Sequence, residues 1–543
     1  MNSTEQGEKK HTLNLEDVDI VGASAIAFLY MTMLLIGIWA SWRQVKKKSL
    51  RTTGSEELYL AGRRLGLPVA VATLAATQIG GAFLSGTAEE TFKNGILWCP
   101  VPFAYISGMV INGLLFARKM RRHGYLTVFD PLQENFGHVM GGLCVVPHII
   151  GDLFWIGAVL SVLGSTLKVT LGLDRGTSIL VSSAVGMIYT LCGGMLSVAY
   201  TDVLQIVVIF IGMFLSLSYV LTSEAVSQAD QLGSLTEWLG HVSLDQAGSY
   251  ADGILTPLLG GLPWQGYYQR ALSLKTEKHV LPMSLLASIL PLMMIVPPIV
   301  IGGVARTAAW NMTALGAPIT PDDASLVLPL ALRYLVPQVV TFFGVGAVTA
   351  AVMSTIDSAV LGASSAIVNN IYKGLLRTKA SDGEVMWCSR ISILAVGVAA
   401  TGVAFMAESI YGLWYLSSDL MYVLVFPHFM MAMIAPGIGT PIASGITFFV
   451  GITLRVLVGE VSIGLPPVIR FPETIPVRTL TMTVSLFVLV SVSLLDQAYR
   501  SCQKTTATRY NVGENAASTD TIATKCSSFD HNDCSSSKDI TAF

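Results

Sequence analysis

Apolar runs of about 20 residues recur from residue 19 to residue 499, and this recurrence limits the fold more than any other feature. A run of that length with few charges spans a bilayer core as a helix. Roughly thirteen runs can be delimited, near 19–42, 66–88, 96–117, 138–171, 177–197, 200–222, 251–268, 281–305, 337–372, 387–407, 411–433, 437–458 and 478–499, with boundaries good to several residues. The stretch 327–372 has room for a short extra helix. The expectation is an all-α, multi-pass membrane protein with 19–499 as one transmembrane domain, 1–18 before it and 500–543 after it.

Composition agrees. The chain is 52% hydrophobic and 13% charged, against about 25% charged in soluble domains. Hydropathy of this kind excludes a soluble enzyme, and no nucleophile–base pairing or phosphate loop stands out. A net charge of -2 without a basic stripe gives no nucleic-acid partner. The seven cysteines form no C-x-x-C spacing, so neither a disulfide framework nor a zinc site is indicated. The first run is long enough to span rather than to be cleaved, and it ends in Trp39 and Trp42, residues that suit an interface.

Lys and Arg set the orientation. Arg43, Lys46, Lys47, Lys48 and Arg51 fall in the first connection, and Arg118, Lys119, Arg121 and Arg122 in the third. Arg270, Lys275 and Lys278, then Lys373, Arg377 and Lys379, fall on the same side when thirteen spans are threaded. That side is cytoplasmic. The stretch 223–252 has five acids and no Lys or Arg, and it falls opposite, as does the sequon Asn311-Met312-Thr313. The N-terminus, with a sequon at Asn2, is expected outside and the C-terminus inside. The last 40 or so residues are rich in Ser, Thr, Asn and Asp, lack an apolar face and read as a disordered cytoplasmic tail.

Charges inside spans are costly and usually face a cavity or a partner. Four acids stand out: Asp152, Asp202, Asp357 and Asp419. Near Asp357, adjacent Ser354 and Thr355 offer two hydroxyls, with the carbonyl of Ala351 close by. Sodium is a hard cation suited to such oxygens. Alternatively, the hydroxyls back-bond their own helix. The run 75–87 places Gly80-Gly81 amid small and polar residues, a pattern for local unwinding that frees carbonyls, or for close helix packing. Gly260-Gly261 before Pro263 breaks another span beside Trp264. Trp264, Trp155 and Tyr105 lie within spans rather than at their ends, and together they point to a pocket for a cation.

At these residues the chain resembles the sodium/solute symporter family, from about Ile26 to Leu495. The blocks that carry the likeness are Ser197 to Gln205 (SVAYTDVLQ), Leu259 to Arg270 (LGGLPWQGYYQR), Phe342 to Ser358 (FFGVGAVTAAVMSTIDS) and Tyr411 to Asp419 (YGLWYLSSD). The resemblance implies an inverted five-helix repeat of the LeuT type, with one additional N-terminal span and two C-terminal ones. It implies sodium-driven alternating access, chloride dependence and a solute bound near the midplane. Within the family the likeness is to choline carriers, which implies choline or a similar small cationic solute as partner, plasma-membrane placement with synaptic or vesicular membranes as further locations, glycosylation, and a role in neurotransmitter biosynthesis. Homo-oligomer formation stays open.

Carried over by position, the sodium site would use the Ala76, Ile79 and Ala351 carbonyls and the Ser354 and Thr355 hydroxyls. Asp202 with Thr201 suggests a second sodium or coupling site. The solute-contacting aromatics match Tyr105, Trp155 and Trp264. One position departs: Gln78 stands where choline carriers place a Trp. An amide offers a dipole rather than a π face, a loss of about 1–2 kcal/mol, or roughly tenfold in affinity. Two readings follow: a choline carrier of lower affinity, or a carrier of another quaternary ammonium or small polar solute. A third reading, a non-transporting sensor on the same fold, is opposed by the intact sodium-ligand residues.

Overall fold

The computed structural model describes residues 18–46, 54–192, 194–227, 238–460 and 463–526. The sequon at Asn2, the bases Lys47, Lys48 and Arg51, and the end of the tail lie outside these. Among the described residues the protein is helical, with two isolated backbone bridges, Leu65 to Leu274 and Glu460 to Leu465.

Nine helices among the described residues have the length and apolarity to cross a membrane, or eleven when two bent pairs each count as one span. The thirteen expected runs exceed this count. Two helical regions account for the difference. Arg175–Cys192 is 18 residues with a charged, hydroxyl-rich first turn. Ala247–Gly260 and Gln265–Ser273 are each too short alone, because the span is interrupted between them.

The order of elements falls into two sets of five after the first helix, Ile20–Lys46. Each set opens on an interrupted helix: Leu67–Gln78 with Thr87–Asn94 in the first, Ala247–Gly260 with Gln265–Ser273 in the second. The first set continues through Val101–Leu115, Val145–Leu171, Arg175–Cys192 and Met195–Leu221. The second continues through Val280–Met294 with Val296–Thr307, then Gln338–Ala366, Asp382–Met406 and Ile410–Leu416 with Phe426–Ile434. Pro441–Val458 and Val477–Cys526 follow. The short helix anticipated within 327–372 is Val327–Tyr334, set off from its successor at Pro337.

Gln338–Ala366 is the axis of the bundle. It is built largely of Gly, Ala, Ser, Thr and Val, and 83% of its apolar window is buried. Small side chains let neighbouring backbones approach closely, which is how helices associate where no hydrophobic force separates lipid from protein. It packs against Met195–Leu221, Val145–Leu171 and Leu67–Gln78. The last helix runs on as backbone to Cys526, past the apolar stretch, so part of the region expected to be a disordered tail is helical. Helix propagation from an established span is inexpensive compared with nucleation.

Candidate functional site

Leu67–Gln78 ends where Ile79 leaves helical geometry, at φ −82° and ψ 67°. The chain re-enters helix through a π turn over Ala82–Gly86, and the two halves meet at 48°. The break lies against the axial helix. A Cβ on Gly80 would sit 2.2 Å from Thr355 Oγ1, so glycine is required for the approach. Across it, the Ser354 hydroxyl donates to the Ala76 carbonyl at 2.9 Å and to the Ala351 carbonyl at 3.1 Å. Thr355 back-bonds to the Ala351 carbonyl at 2.9 Å. The Ser354 hydroxyl thus crosses to the broken helix as well as bonding its own, while that of Thr355 serves its own helix. The oxygens of Ala76, Ala351, Ser354 and Thr355 meet here, and Ile79 lies at the break itself. A neutral oxygen set of this kind fits a hard monovalent cation, with the hydroxyls turning from donor to ligand.

Thr201 and Asp202, expected to act together, have different partners. The Thr201 hydroxyl donates to Val198 and Ser197 carbonyls of its own helix, at 2.9 and 3.3 Å. The Asp202 carboxylate accepts from Thr73 and lies 3.7 Å from the Arg270 guanidinium. Arg270, fully buried, also donates to Ser358, whose hydroxyl is 2.9 Å from that of Thr77. Asp202 thus meets a buried base that also donates to Ser358, one helical turn from Ser354.

Asp419 is compensated differently. It accepts from Arg455 at 2.6 Å and from Arg478 at 2.8 Å, and both guanidinium groups also reach Glu460. Asp252 accepts from the backbone amides of Arg478 and Thr479, each at 2.9 Å. Arg478 also lies over the Tyr415 ring, 4.9 Å from its centroid.

The fourth acid, Asp152, is one of the residues lining a cavity. All four side chains expected to touch solute line it: Gln78, Tyr105, Trp155 and Trp264. They come from four separate helical segments. Gln78 is the last residue before the first break. Trp264 is the extended residue (φ −83°, ψ 119°) that closes the second break and caps Gln265–Ser273. Pro263 lacks the N–H needed to continue the preceding helix. Gly260 lets this break touch the neighbouring chain, since a Cβ there would sit 2.4 Å from the Ser418 carbonyl. Trp155 meets Trp264 edge to face, with centroids 5.0 Å apart.

Sequence reasoning missed Trp414. Its ring stacks on Tyr105 at 5.6 Å and 12°, and it also meets Phe83 at 5.9 Å. Both Trp414 and Phe83 line the cavity. Trp414 belongs to the quoted block YGLWYLSSD, but three aromatics in six residues give no sign of which faces inward. The helix ending at Leu416 is followed by a turn in which the Ser417 hydroxyl lies 3.2 Å from that of Tyr105.

Membrane-length helices with two broken at their middles, around an aromatic cavity and an oxygen-lined cleft, define a secondary transporter. The chain belongs to the sodium:solute symporter family, whose profile matches residues 58–439. It is 40% identical over 486 residues to High-affinity choline transporter 1 of Drosophila melanogaster, covering 88% of this chain and 78% of the relative. The Homo sapiens High affinity choline transporter 1 is 38% identical over 495 residues, covering 88% of this chain and 85% of the relative. Osmoregulated proline transporter OpuE of Bacillus subtilis is more distant, 25% identical over 389 residues, with 69% and 76% covered. Among solved structures, a Na+-coupled sialic acid symporter in a substrate-bound outward-open state superposes with a TM-score of 0.70 at 17% identity, covering 88% of this chain and 98% of that one. That likeness shows the fold, an all-helical symporter core of the LeuT type. The chain is a transporter and not an enzyme, its solute coupled to sodium.

Proposed function

We propose that the protein is a sodium- and chloride-dependent choline symporter that moves choline into the cell by alternating access. The observation that carries this reading is the cavity. Tyr105, Trp155, Trp264 and Trp414 wall it with aromatic faces, which attract an alkylammonium head. The oxygen cleft at Ala76, Ile79, Ala351, Ser354 and Thr355 serves sodium, beside the same broken helix that delivers Gln78. Sodium there holds the first broken helix against the axial helix. Choline bound against Gln78 feels that restraint, so each ligand favours the other. Asp202, held by Arg270, acts as a coupling element rather than as a sodium cage shared with Thr201. Chloride dependence enters from the family resemblance. The protein resides in the plasma membrane with its N-terminus outside, an orientation that places the exposed Asn311 where glycosylation occurs.

A second reading changes the solute. Gln78 lines the cavity, and its amide suits a hydrogen-bonding solute better than a π face does. Uptake of radiolabelled choline by expressing cells separates the two, with sodium replaced by lithium and, separately, chloride by gluconate. Accumulation that needs both ions is expected. No accumulation, with the protein demonstrated at the surface, overturns choline and leaves the second reading.

A further inference from the structure

One side chain sets the charge of the cavity. Among the described residues that line it, Asp152 is the single carboxylate, and neither Lys nor Arg is present. Asp152 is 4% exposed, and its Oδ2 makes no hydrogen bond among the described residues. The nearest base is His148, one turn earlier on the same helix, with Nε2 3.2 Å from that oxygen. His148 is itself buried, its ring 5.2 Å from that of Phe129. A neutral imidazole brings no opposite charge to a carboxylate beside it. Asp202 and Asp419 are answered by guanidinium groups, Arg270 for the first and Arg455 with Arg478 for the second. Of the four, Asp152 is the one that lines the cavity.

Aromatic walls hold a trimethylammonium head and a tert-butyl group of the same shape by dispersion alike; the π faces add a preference for the cation. A buried carboxylate separates them strongly, because it gains a partner from one and is merely desolvated by the other. We propose that Asp152 is the charge-selecting residue of this cavity, supplying the counter-charge for an organic monocation seated among Tyr105, Trp155, Trp264 and Trp414. The site therefore takes small quaternary or alkyl ammonium ions. It rejects their uncharged isosteres, and it rejects zwitterions, whose own carboxylate would meet that of Asp152. The carboxylate also offsets the attraction lost where Gln78 replaces an aromatic wall. The inference rests on the reading above that this cavity holds the solute.

The test is ligand binding to the purified full chain, read by quenching of tryptophan fluorescence. The probes are choline, tetramethylammonium, 3,3-dimethylbutan-1-ol (choline's uncharged carbon isostere) and glycine betaine. The wild type is expected to bind the cations at least about tenfold tighter than the isostere or the zwitterion. Asp152→Asn should weaken the cations by about tenfold or more and leave the isostere within about threefold, while Asp152→Glu keeps the preference. An unchanged cation-to-isostere ratio in Asp152→Asn overturns the proposal. So does a wild type that binds the isostere as tightly as choline, a result that needs no variant to fold. If tetramethylammonium binds in an Asp152-dependent way and choline does not, charge selection stands and choline is removed as the solute.

Discussion

At Gln78 an amide dipole faces the cavity beside Trp155 and Trp264, where an aromatic ring would add a wall. Gln78→Trp is expected to lower the half-saturating choline concentration by roughly tenfold, read from uptake curves at fixed sodium. An unchanged or higher value would mean that the side chain does not meet the solute. At the oxygen cleft, Ser354→Ala with Thr355→Val removes the two hydroxyls proposed to hold sodium and leaves the carbonyls. The sodium concentration for half-maximal uptake should rise by about tenfold or more, with surface expression as the control. Asp202→Asn frees the Arg270 cation one turn from Ser354, so sodium activation should shift upward by at least about threefold. Choline half-saturation at saturating sodium should move less; equal shifts would contradict a coupling role. These residues differ in how well they could be read from sequence. Tyr105, Trp155 and Trp264 were legible because an aromatic in mid-span needs a reason. Asp152 was legible as a cost but not as a cavity residue. The back-bond from Thr201 to Val198 was not legible, because it depends on rotamer, which residue type does not reveal.

The elements that do the positioning are the two broken helices, and both breaks were legible as Gly-Gly within apolar runs, one of them reinforced by Pro263. What holds the second break was not. Its entry at Asp252 is tied to the amides of Arg478 and Thr479, more than 220 residues on, and Arg478 in turn pairs with Asp419 and Glu460. Partners on separate helices leave no local pattern. Removing one member of such a buried set strands the rest, at a cost of about 3–5 kcal/mol. Arg478→Gln is accordingly expected to lower the melting temperature of the purified protein clearly. Adding Asp419→Asn should cost less than the two single effects combined, since it removes a charge the first change left unpaired. Strict additivity would show that the two groups are not coupled.

For the whole molecule, the two five-helix sets bring one broken helix each to the same cavity, and the axial helix places the oxygen cleft against the first of them. With solute and ion at the proposed sites, a shared element joins them, and their affinities are linked. Sodium should tighten choline binding to the purified protein by some factor, and choline should tighten sodium binding by the same factor. Different factors at equilibrium would break the linkage. The multi-pass helical architecture was evident from the recurring apolar runs, though the run count overstated the uninterrupted helices because a broken span and a polar one look alike at that level. The most direct test of sodium-coupled choline transport is choline uptake into proteoliposomes holding this chain alone, under an imposed inward sodium gradient with chloride on both sides. Choline inside is expected to rise above its outside concentration, then to fall back when the sodium gradient is dissipated. Choline that only equilibrates, or that enters equally well without the gradient, would contradict it.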